Sequence, residues 1–242
     1  MTRWRRLLQA SLPLIAVNCL ALEREARAEW AALGWDRCSS QTFAKQFACD
    51  TNLGESRLVV SALRDSVALF TDGFHCMLEV AVAGASLPSW WQVRSGQCRD
   101  GALTSTTLPQ PEDFGSCVYA WNVVGANLEV KPIPMASRIR LTMDGFSPTG
   151  DSQMTPFVET FIVALHIRHS LSTGAGSCPG CEAPACILLR ELTIVDGFPT
   201  GALVTLPILE PSFLLGWQSS RANCMATAIQ NRTWGGVKAL YR

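Results

Sequence analysis

The sequence predicts an all-β fold, a single β-sandwich domain stapled by disulfides, on three observations. Short runs rich in β-branched and aromatic residues follow one another from Trp35 onward. Asp-Gly, Pro and Gly separate nearly all of these runs. Ten cysteines accompany an N-terminal stretch typical of export in a chain of 242 residues. A jelly roll is one form of sandwich that fits this pattern, and little helix is expected.

The N-terminus has the features of a secretion signal. Three arginines within the first six residues precede the mostly apolar stretch 7–22, and Ala26-Arg27-Ala28 fits the small-x-small cleavage rule. An uncleaved anchor helix is disfavoured because the apolar stretch is short and interrupted by Pro13. We therefore predict that residues 1–28 are a signal peptide, and that the mature domain 29–242 is secreted, periplasmic or on the cell surface.

The strands are predicted from runs of apolar residues between turn signals. Their positions are 58–60, 67–70, 74–83, 118–124, 139–143, 157–167, 187–195, 202–209 and 213–217. The best candidate for a helix is 111–121, where Pro-Glu-Asp could open one. The polar stretch 101–113 is predicted to be a long loop, and no linker divides the chain.

Cysteine usage agrees with export. Removing Cys19 with the signal peptide leaves nine cysteines, so one thiol should be free. Cys76 is the predicted free thiol because it stands in the middle of the strand 74–80 and would behave as a small hydrophobe. The eight cysteines predicted to form disulfides are Cys38, Cys49, Cys98, Cys117, Cys178, Cys181, Cys186 and Cys224.

Sequence proximity predicts how these eight cysteines pair. The expected pairs are Cys38–Cys49 and Cys98–Cys117, with Cys224 joining one member of the cluster Cys178, Cys181 and Cys186, and the other two members pairing with each other. Which member Cys224 joins stays open. A four-sulfur zinc site is the alternative for this cluster, and in an exported chain oxidation to disulfides is favoured over metal binding. No metal site or cofactor is therefore predicted.

No catalytic constellation is recognisable. The chain has neither Gly-x-Ser-x-Gly nor His-Glu-x-x-His, and its three histidines are His75, His166 and His169. On a strand, a spacing of three puts His166 and His169 on opposite faces, which disfavours a joint metal site. No catalytic residue is predicted, and the lack of a recognisable motif favours a protein that is not an enzyme. A hydrolase whose carboxylate pair sequence spacing cannot reveal is the alternative.

The charge excludes some partners. Acidic and basic residues are equal in number, so the net charge is zero and there is no basic footprint for nucleic acid. No second long apolar run follows the N-terminal one, so no membrane span is predicted in the mature chain. The partner is unknown, and a glycan or another extracellular protein are the two classes considered.

Trp90 and Trp91 are the candidate ligand-binding residues. Exposed tryptophans on a β-sandwich can form a flat platform for sugar rings, and Pro88-Ser89-Trp90-Trp91 is the obvious place for one. The alternative is that the indoles plug an end of the sandwich over a disulfide. Adjacent residues of a strand face opposite sides, so at least one of the two indoles is expected in the core.

Asp-Gly-Phe occurs three times, beginning at Asp72, Asp144 and Asp196. Because Asp-Gly tolerates a positive φ, the favoured interpretation is a recurring turn after which Phe restarts a buried strand. The alternative is a calcium site at one rim of the sandwich, since such turns offer carboxylate and carbonyl oxygens.

Five stretches resemble a group of secreted bacterial proteins whose activity is uncharacterised. They are Trp35-Asp-Arg-Cys38, Phe47-Ala-Cys-Asp-Thr-Asn52, Leu87-Pro-Ser-Trp-Trp-Gln92 with Cys98 beyond, Cys178-Pro-Gly-Cys-Glu-Ala-Pro-Ala-Cys-Ile187, and Asn231-Arg-Thr-Trp-Gly-Gly-Val-Lys-Ala-Leu-Tyr-Arg242. These stretches occur in the same order as in that group and span nearly the whole mature chain. The resemblance implies an exported single-domain protein and supplies no functional residues.

Together these features predict an exported, non-catalytic structural or interaction protein of unknown ligand. The first alternative is a carbohydrate-binding module that uses exposed tryptophans, and the second is the secreted hydrolase.

Overall fold

The computed structural model describes residues 29–38, 40, 42–65, 68–108, 117–119, 126–133, 136–147, 152–197, 201–208, 213–220, 223 and 224. The predicted signal peptide 1–28 and most of the candidate helix 111–121 lie outside the described residues. None of the described residues belongs to a helix long and apolar enough to span a membrane.

Strands dominate the described part of the chain. They are β1 (Trp30–Trp35), β2 (Ala44–Lys45), β3 (Glu55–Leu63), β4 (Ala68–Val82), β5 (Leu103–Thr106), β6 (Val118–Tyr119), β7 (Ala126–Pro132), β8 (Arg138–Phe146), β9 (Ser152–Met154), β10 (Thr160–Arg168), β11 (Ala185–Asp196), β12 (Leu203–Thr205) and β13 (Leu214–Trp217). A short 3-10 helix, Ser89–Trp91, stands between β4 and β5.

The strands form two sheets that pack together. Sheet A has the order β1-β3-β10-β5, and β6 adds to β10. Sheet B has the order β2-β13-β11-β4-β8-β7, with β12 pairing with β11 and β9 pairing with β4. The predicted all-β, sandwich-like fold is confirmed.

The core lies between the inner faces of the two sheets, and alternation within each strand supplies it. In β3, Leu58, Val60 and Ala62 face inward and are fully buried. In β4 of the opposite sheet, Leu78 and Val80 do the same. Each buried leucine or valine contributes about 1.5–3 kcal/mol when it leaves water, so the period of two decides which face of each strand turns inward.

Two predicted boundaries are wrong. The runs 67–70 and 74–83 fall largely in one continuous strand, β4, because Thr71 and Gly73 pair with neighbouring strands and Asp72 lies at a bulge between them rather than in a turn. The stretch 101–113 is not wholly a loop, since β5 pairs with β10 over 103–106.

Four disulfides close the structure: Cys38–Cys117, Cys49–Cys181, Cys98–Cys178 and Cys186–Cys224. Cys224 joins a member of the cluster as predicted. The predicted pairs Cys38–Cys49 and Cys98–Cys117 are wrong, and so is a bridge between the remaining two cluster cysteines. Cys38 follows β1 of sheet A and Cys49 follows β2 of sheet B, so a strand of the second sheet separates these two neighbours in sequence.

Cys76 forms no disulfide and is fully buried in β4. Burial raises the pKa of the thiol, and the negative charges of Asp144 and Glu191 raise it further. The side chain packs in the core between the sheets, where it acts as a small hydrophobe.

Removing the Cys49–Cys181 bridge should destabilise the protein measurably. The two cysteines are 132 positions apart, so the bridge restricts a long part of the unfolded chain. We expect Cys49→Ala/Cys181→Ala to lower the free energy of unfolding by about 2–4 kcal/mol in urea titrations. The control Cys76→Ala removes a thiol outside any bridge and should lower it by no more than about 1 kcal/mol. Equal losses in both variants would contradict a stabilising role of the bridge.

Candidate functional site

The 3-10 helix Ser89–Trp91 positions the two predicted ligand-binding residues. Pro88 precedes it in an extended conformation, with φ −62° and ψ 157°, and its carbonyl accepts the Trp91 N–H at 2.9 Å. Gly180 lies against Pro88 so closely that a Cβ there would be 2.3 Å from the Pro88 Cβ, and its φ is +97°. Only glycine fits at this contact, which fixes the loop of Cys178 and Cys181 beside the tryptophans.

Trp90 and Trp91 belong to a cluster of buried and partly buried rings, hereafter the aromatic cluster. Its members are Trp35, Phe47, Trp90, Trp91, His169 and Trp217. The Trp90 and Trp217 rings stack with centroids 4.8 Å apart, and Trp91 meets both edge-on at 5.1 and 5.9 Å. Such offset and edge-to-face contacts stabilise ring pairs beyond the area that they bury.

The exposed sugar platform predicted for Trp90 and Trp91 is wrong. Both side chains are 0% exposed, so neither offers a face to a sugar ring. The alternative, a core position, holds for both residues rather than for one. The strand rule fails here because the pair lies in a 3-10 helix, where neighbours are about 120° apart and can both turn inward.

Two of the indoles are also anchored by hydrogen bonds. Trp217 Nε1 donates to the Cys181 carbonyl at 3.0 Å, and Trp90 Nε1 donates to Ser172 Oγ at 3.2 Å. The buried Nε1 atoms of Trp35 and Trp91 have no acceptor within the described part of the chain. Packing therefore holds Trp35 and Trp91 in the aromatic cluster, and hydrogen bonds add to packing at Trp90 and Trp217.

Arg99 is buried against the aromatic cluster. Its guanidinium carbon lies 3.5 Å from the Trp90 ring centroid, and its nitrogens donate to the carbonyls of Trp90, Arg168 and Ser170. Burial lowers the pKa of Arg99 to about 10, so it stays cationic at neutral pH. Carbonyl oxygens and the face of the ring take the place of water around this charge.

Ser56 and His169 form the arrangement closest to a catalytic pair. Ser56 Oγ lies 3.0 Å from His169 Nε2, and His169 Nδ1 lies 3.2 Å from the Leu53 carbonyl. A carbonyl only accepts, so Nδ1 carries the proton and Nε2 accepts from the serine hydroxyl. Burial lowers the pKa of His169 despite the opposing bond to Leu53, which favours the neutral ring.

This pair lacks the access that a nucleophile needs. Ser56 is 0% exposed and lies within β3, and the His169 ring stacks on Phe47 at 3.7 Å. A nucleophilic serine must reach a substrate carbonyl, which a fully enclosed hydroxyl cannot do. The hydrogen bond therefore fastens two segments of the fold. Sequence reasoning missed the pair because no short motif joins residues 113 positions apart.

One motif of the resemblance, Phe47 to Asn52, has a structural role. Asn52 Oδ1 accepts the backbone N–H groups of Ser172 and Thr173 at 2.8 and 3.0 Å, and its Nδ2 donates to the Thr173 carbonyl. The Cys49–Cys181 bridge and the stacking of Phe47 on His169 join the same two segments. The motif fastens one loop to another and offers no reactive group.

The second region of interest is the outer face of sheet B, which points away from the core. The described parts of the three Asp-Gly-Phe copies lie side by side at one end of sheet B, with Asp196 at the end of β11 and the other two copies within β4 and β8. The prediction of turns is wrong for the copies at Asp72 and Asp144, which lie inside strands. A Cβ on Gly73 would be 2.4 Å from the Gly145 carbonyl oxygen, so the glycines permit a close approach of β4 and β8.

Two of the three aspartates already have basic partners. His75 Nδ1 lies 2.5 Å from Asp144 Oδ1, and Arg64 Nη1 lies 2.5 Å from Asp196 Oδ1. Among the described residues, no three acidic, histidine or cysteine side chains converge in a metal-binding arrangement. The described geometry therefore gives the calcium alternative no support.

An unusual group of charges occupies the centre of the same face, hereafter the arginine cluster: Glu79, Arg138, Arg140 and Arg190. Glu79 accepts from Arg138 through Oε1 and from Arg190 Nε through Oε2 at 3.0 Å. Burial alone would raise the pKa of Glu79, but Arg190 and Arg138 hold it below its ordinary value. The carboxylate is therefore ionised at neutral pH although its side chain is only 8% exposed.

Arg140 is the member of the arginine cluster without a partner. In the sheet it lies directly between Glu79 on β4 and Lys131 on β7. Both oxygens of Glu79 are already bound, and Lys131 pairs with Glu129 at 2.8 Å. Arg140 Nε is buried and has no acceptor. The described residues thus leave positive charge unbalanced at this point.

Comparison of the chain with protein-family models and with curated proteins finds no match.

Proposed function

We propose that the protein is an exported, non-catalytic structural or interaction protein whose mature domain spans residues 29–242. The observation that carries this proposal is the set of four disulfides, which join segments between 38 and 132 positions apart. Disulfides of this number form and persist in oxidising compartments. They hold the loops of a two-sheet sandwich in a fixed arrangement, as a binding scaffold requires.

The disposition of polar groups supports the absence of catalysis. Ser56, His169 and Arg99 are enclosed, and each forms bonds to the fold itself. The carboxylates of Glu55 and Glu79 bind basic side chains. The outer face of sheet B, where charged side chains remain accessible, is the surface best suited to a partner.

The number of free thiols tests export and processing together. The full chain would be expressed in a bacterial host with a general secretion pathway, and the exported fraction denatured without reductant. We expect one reactive thiol per chain, from Cys76, because eight cysteines are in disulfides and Cys19 leaves with residues 1–28. N-terminal sequencing of the same fraction should begin at Glu29.

Other thiol counts have distinct meanings. Two thiols with Met1 intact would show export without cleavage and overturn the predicted signal peptide. Ten thiols in a chain retained in the cytoplasm would overturn export. Turnover of chromogenic ester, peptide or glycoside substrates by the exported fraction would contradict the non-catalytic role and favour the hydrolase.

A further inference from the structure

The unbalanced charge on the outer face of sheet B points to a ligand. We infer that the arginine cluster binds the oxyanion groups, carboxylate or sulfate, of an acidic polysaccharide. This inference rests on the proposed interaction role and adds to it a surface and a chemical class of partner. It depends on the described side chains of β4, β7, β8 and β11.

The local charges do not cancel. Arg138, Arg140, Arg190 and Lys131 provide four positive charges, and Glu79 and Glu129 provide two negative ones. Glu191 lies opposite Met77, in the same cross-strand row as Glu129, and accepts from Thr193 Oγ1, whereas Asp144 lies one row further along and binds His75. With Glu191 counted, an excess of one positive charge remains around Arg140 among the described side chains, on a protein with no net charge.

The cations are spread over three strands of the face. Arg190 lies at a bulge of β11 beside Leu78 and Met77, and Arg140 lies opposite Glu79 on the other side of β4, so the two are offset along the strands and separated across them by two strand spacings, about 10 Å. Lys131 lies on β7 directly opposite Arg140. Cations spaced over several strands can meet successive charges of an extended polyanion.

Guanidinium groups favour oxyanions as ligands. Their planar fork donates two parallel hydrogen bonds to one carboxylate or sulfate, and bonds between ions are stronger than those between neutral groups. The buried Nε of Arg140 lacks an acceptor, and the Arg190 side chain is 40% exposed. An oxyanion bound between Arg190 and Arg140 would offset the charge of Arg140 while Arg138 and Arg190 keep their bonds to Glu79.

The position of the cluster favours a polysaccharide over an acidic peptide. Peptides commonly bind sheets by adding a strand at a free edge, but β4, β8 and β11 are inner strands whose backbone groups are already paired. A polysaccharide needs only charged and hydroxyl-bonding side chains on a flat face.

Binding of defined polymers to the exported protein tests the inference. The probes are polygalacturonate for carboxylates, dextran sulfate for sulfates, neutral dextran and poly-L-glutamate, each titrated calorimetrically at low and at physiological salt. We expect one or both acidic polysaccharides to bind, neutral dextran not to bind, and affinity to fall with salt. Arg140→Gln should weaken binding by about 10- to 100-fold, the usual loss for a hydrogen bond between charged groups.

Matched variants separate a site from general attraction. Arg168→Gln removes an exposed arginine from β10 of sheet A and changes the net charge equally, so we expect an effect within about twofold. Arg140→Lys keeps the charge but loses the fork, and should fall between Arg140→Gln and the parent. Arg140 has no ion pair among the described residues, so the unfolding midpoint of Arg140→Gln should equal that of the parent.

Three outcomes would overturn the inference. Equal weakening by Arg140→Gln and Arg168→Gln would show unspecific attraction between polyelectrolytes. Binding of poly-L-glutamate alone, dependent on Arg140, would replace the polysaccharide with an acidic protein partner and leave the interaction role intact. Failure of every polyanion to bind would remove the site, whereas the thiol count and N-terminal sequence decide export independently.

Discussion

Trp217→Ala is expected to lower the free energy of unfolding by about 3–5 kcal/mol, the usual loss for a large aromatic side chain removed from a core. Trp217 is fully buried, and its ring contacts those of Trp35, Trp90 and Trp91. The substitution also removes the donor to the Cys181 carbonyl. Urea titration followed by far-UV circular dichroism measures the change, because the signal does not depend on the deleted indole.

Two further variants make this prediction specific. Phe146→Ala removes an aromatic ring that is 67% exposed, so its effect should stay within about 0.5 kcal/mol. Trp217→Phe keeps a ring but loses the N–H donor, and should be less damaging than the alanine variant. If Trp217→Ala were as mild as Phe146→Ala, the aromatic cluster would not be a stabilising core.

Glu79→Ala should have an effect of similar size for an electrostatic reason. The carboxylate binds both Arg138 and Arg190, and the Arg138 side chain is only 7% exposed. Without Glu79, Arg138 becomes an unpaired buried charge, and such a change costs about 3–5 kcal/mol. Chemical unfolding at neutral pH measures the loss.

The pH dependence of stability gives an independent signature of Glu79. Its pKa is lower in the folded protein than in the unfolded chain, so its contribution is present above the unfolded value of about 4.3 and is lost as pH falls through the folded value. The parent should therefore lose stability more steeply than Glu79→Ala as the pH is lowered below about 4.3.

A control and a rescue complete the test of Glu79. Glu129→Ala breaks an exposed pair with Lys131 and should cost no more than about 1 kcal/mol. Replacing both members of the buried pair, as in Glu79→Leu/Arg138→Met, should restore much of the stability, because no buried charge is left without a partner. Equal losses in Glu79→Ala and Glu129→Ala would show that the carboxylate is effectively solvated.

Alternation of apolar residues predicted the centre of the fold well. The runs 139–143 and 187–195 lie within β8 and β11, and all but the last residue of 74–83 lies within β4; these three are neighbouring strands at the middle of sheet B. A strand with one face in the core must repeat with a period of two, and that requirement is visible in sequence. The period of two is clearest in the strands whose inner face is most deeply buried.

Strands with weaker composition were missed. β1 reads Trp-Ala-Ala-Leu-Gly-Trp, and alanine and glycine are poor indicators of a strand. β7 contains Asn127, Glu129, Lys131 and Pro132, as is common in an edge strand that must resist further pairing. Tertiary pairing formed both strands although their local signals were weak.

The candidate sites depend on register, which the sequence does not display. Glu79 meets Arg138 and Arg190 across 59 and 111 positions, because β4 pairs with both β8 and β11. Ser56 and His169 meet for the same reason in sheet A. Composition indicated that charges and tryptophans were present, and only strand pairing decides which of them are neighbours.

The disulfide connectivity has a consequence for how the chain matures. In a chain that crosses a membrane from its N-terminus, Cys38 and Cys49 emerge first, yet their partners Cys117 and Cys181 follow much later. An oxidant acting on thiols in order of emergence would join Cys38 to Cys49, a bridge that the native structure does not contain. Exchange between thiols and disulfides must then correct it, a process of seconds to hours that isomerases accelerate. Recovery of the native protein should thus depend on the disulfide-isomerising capacity of the compartment as much as on its oxidising power.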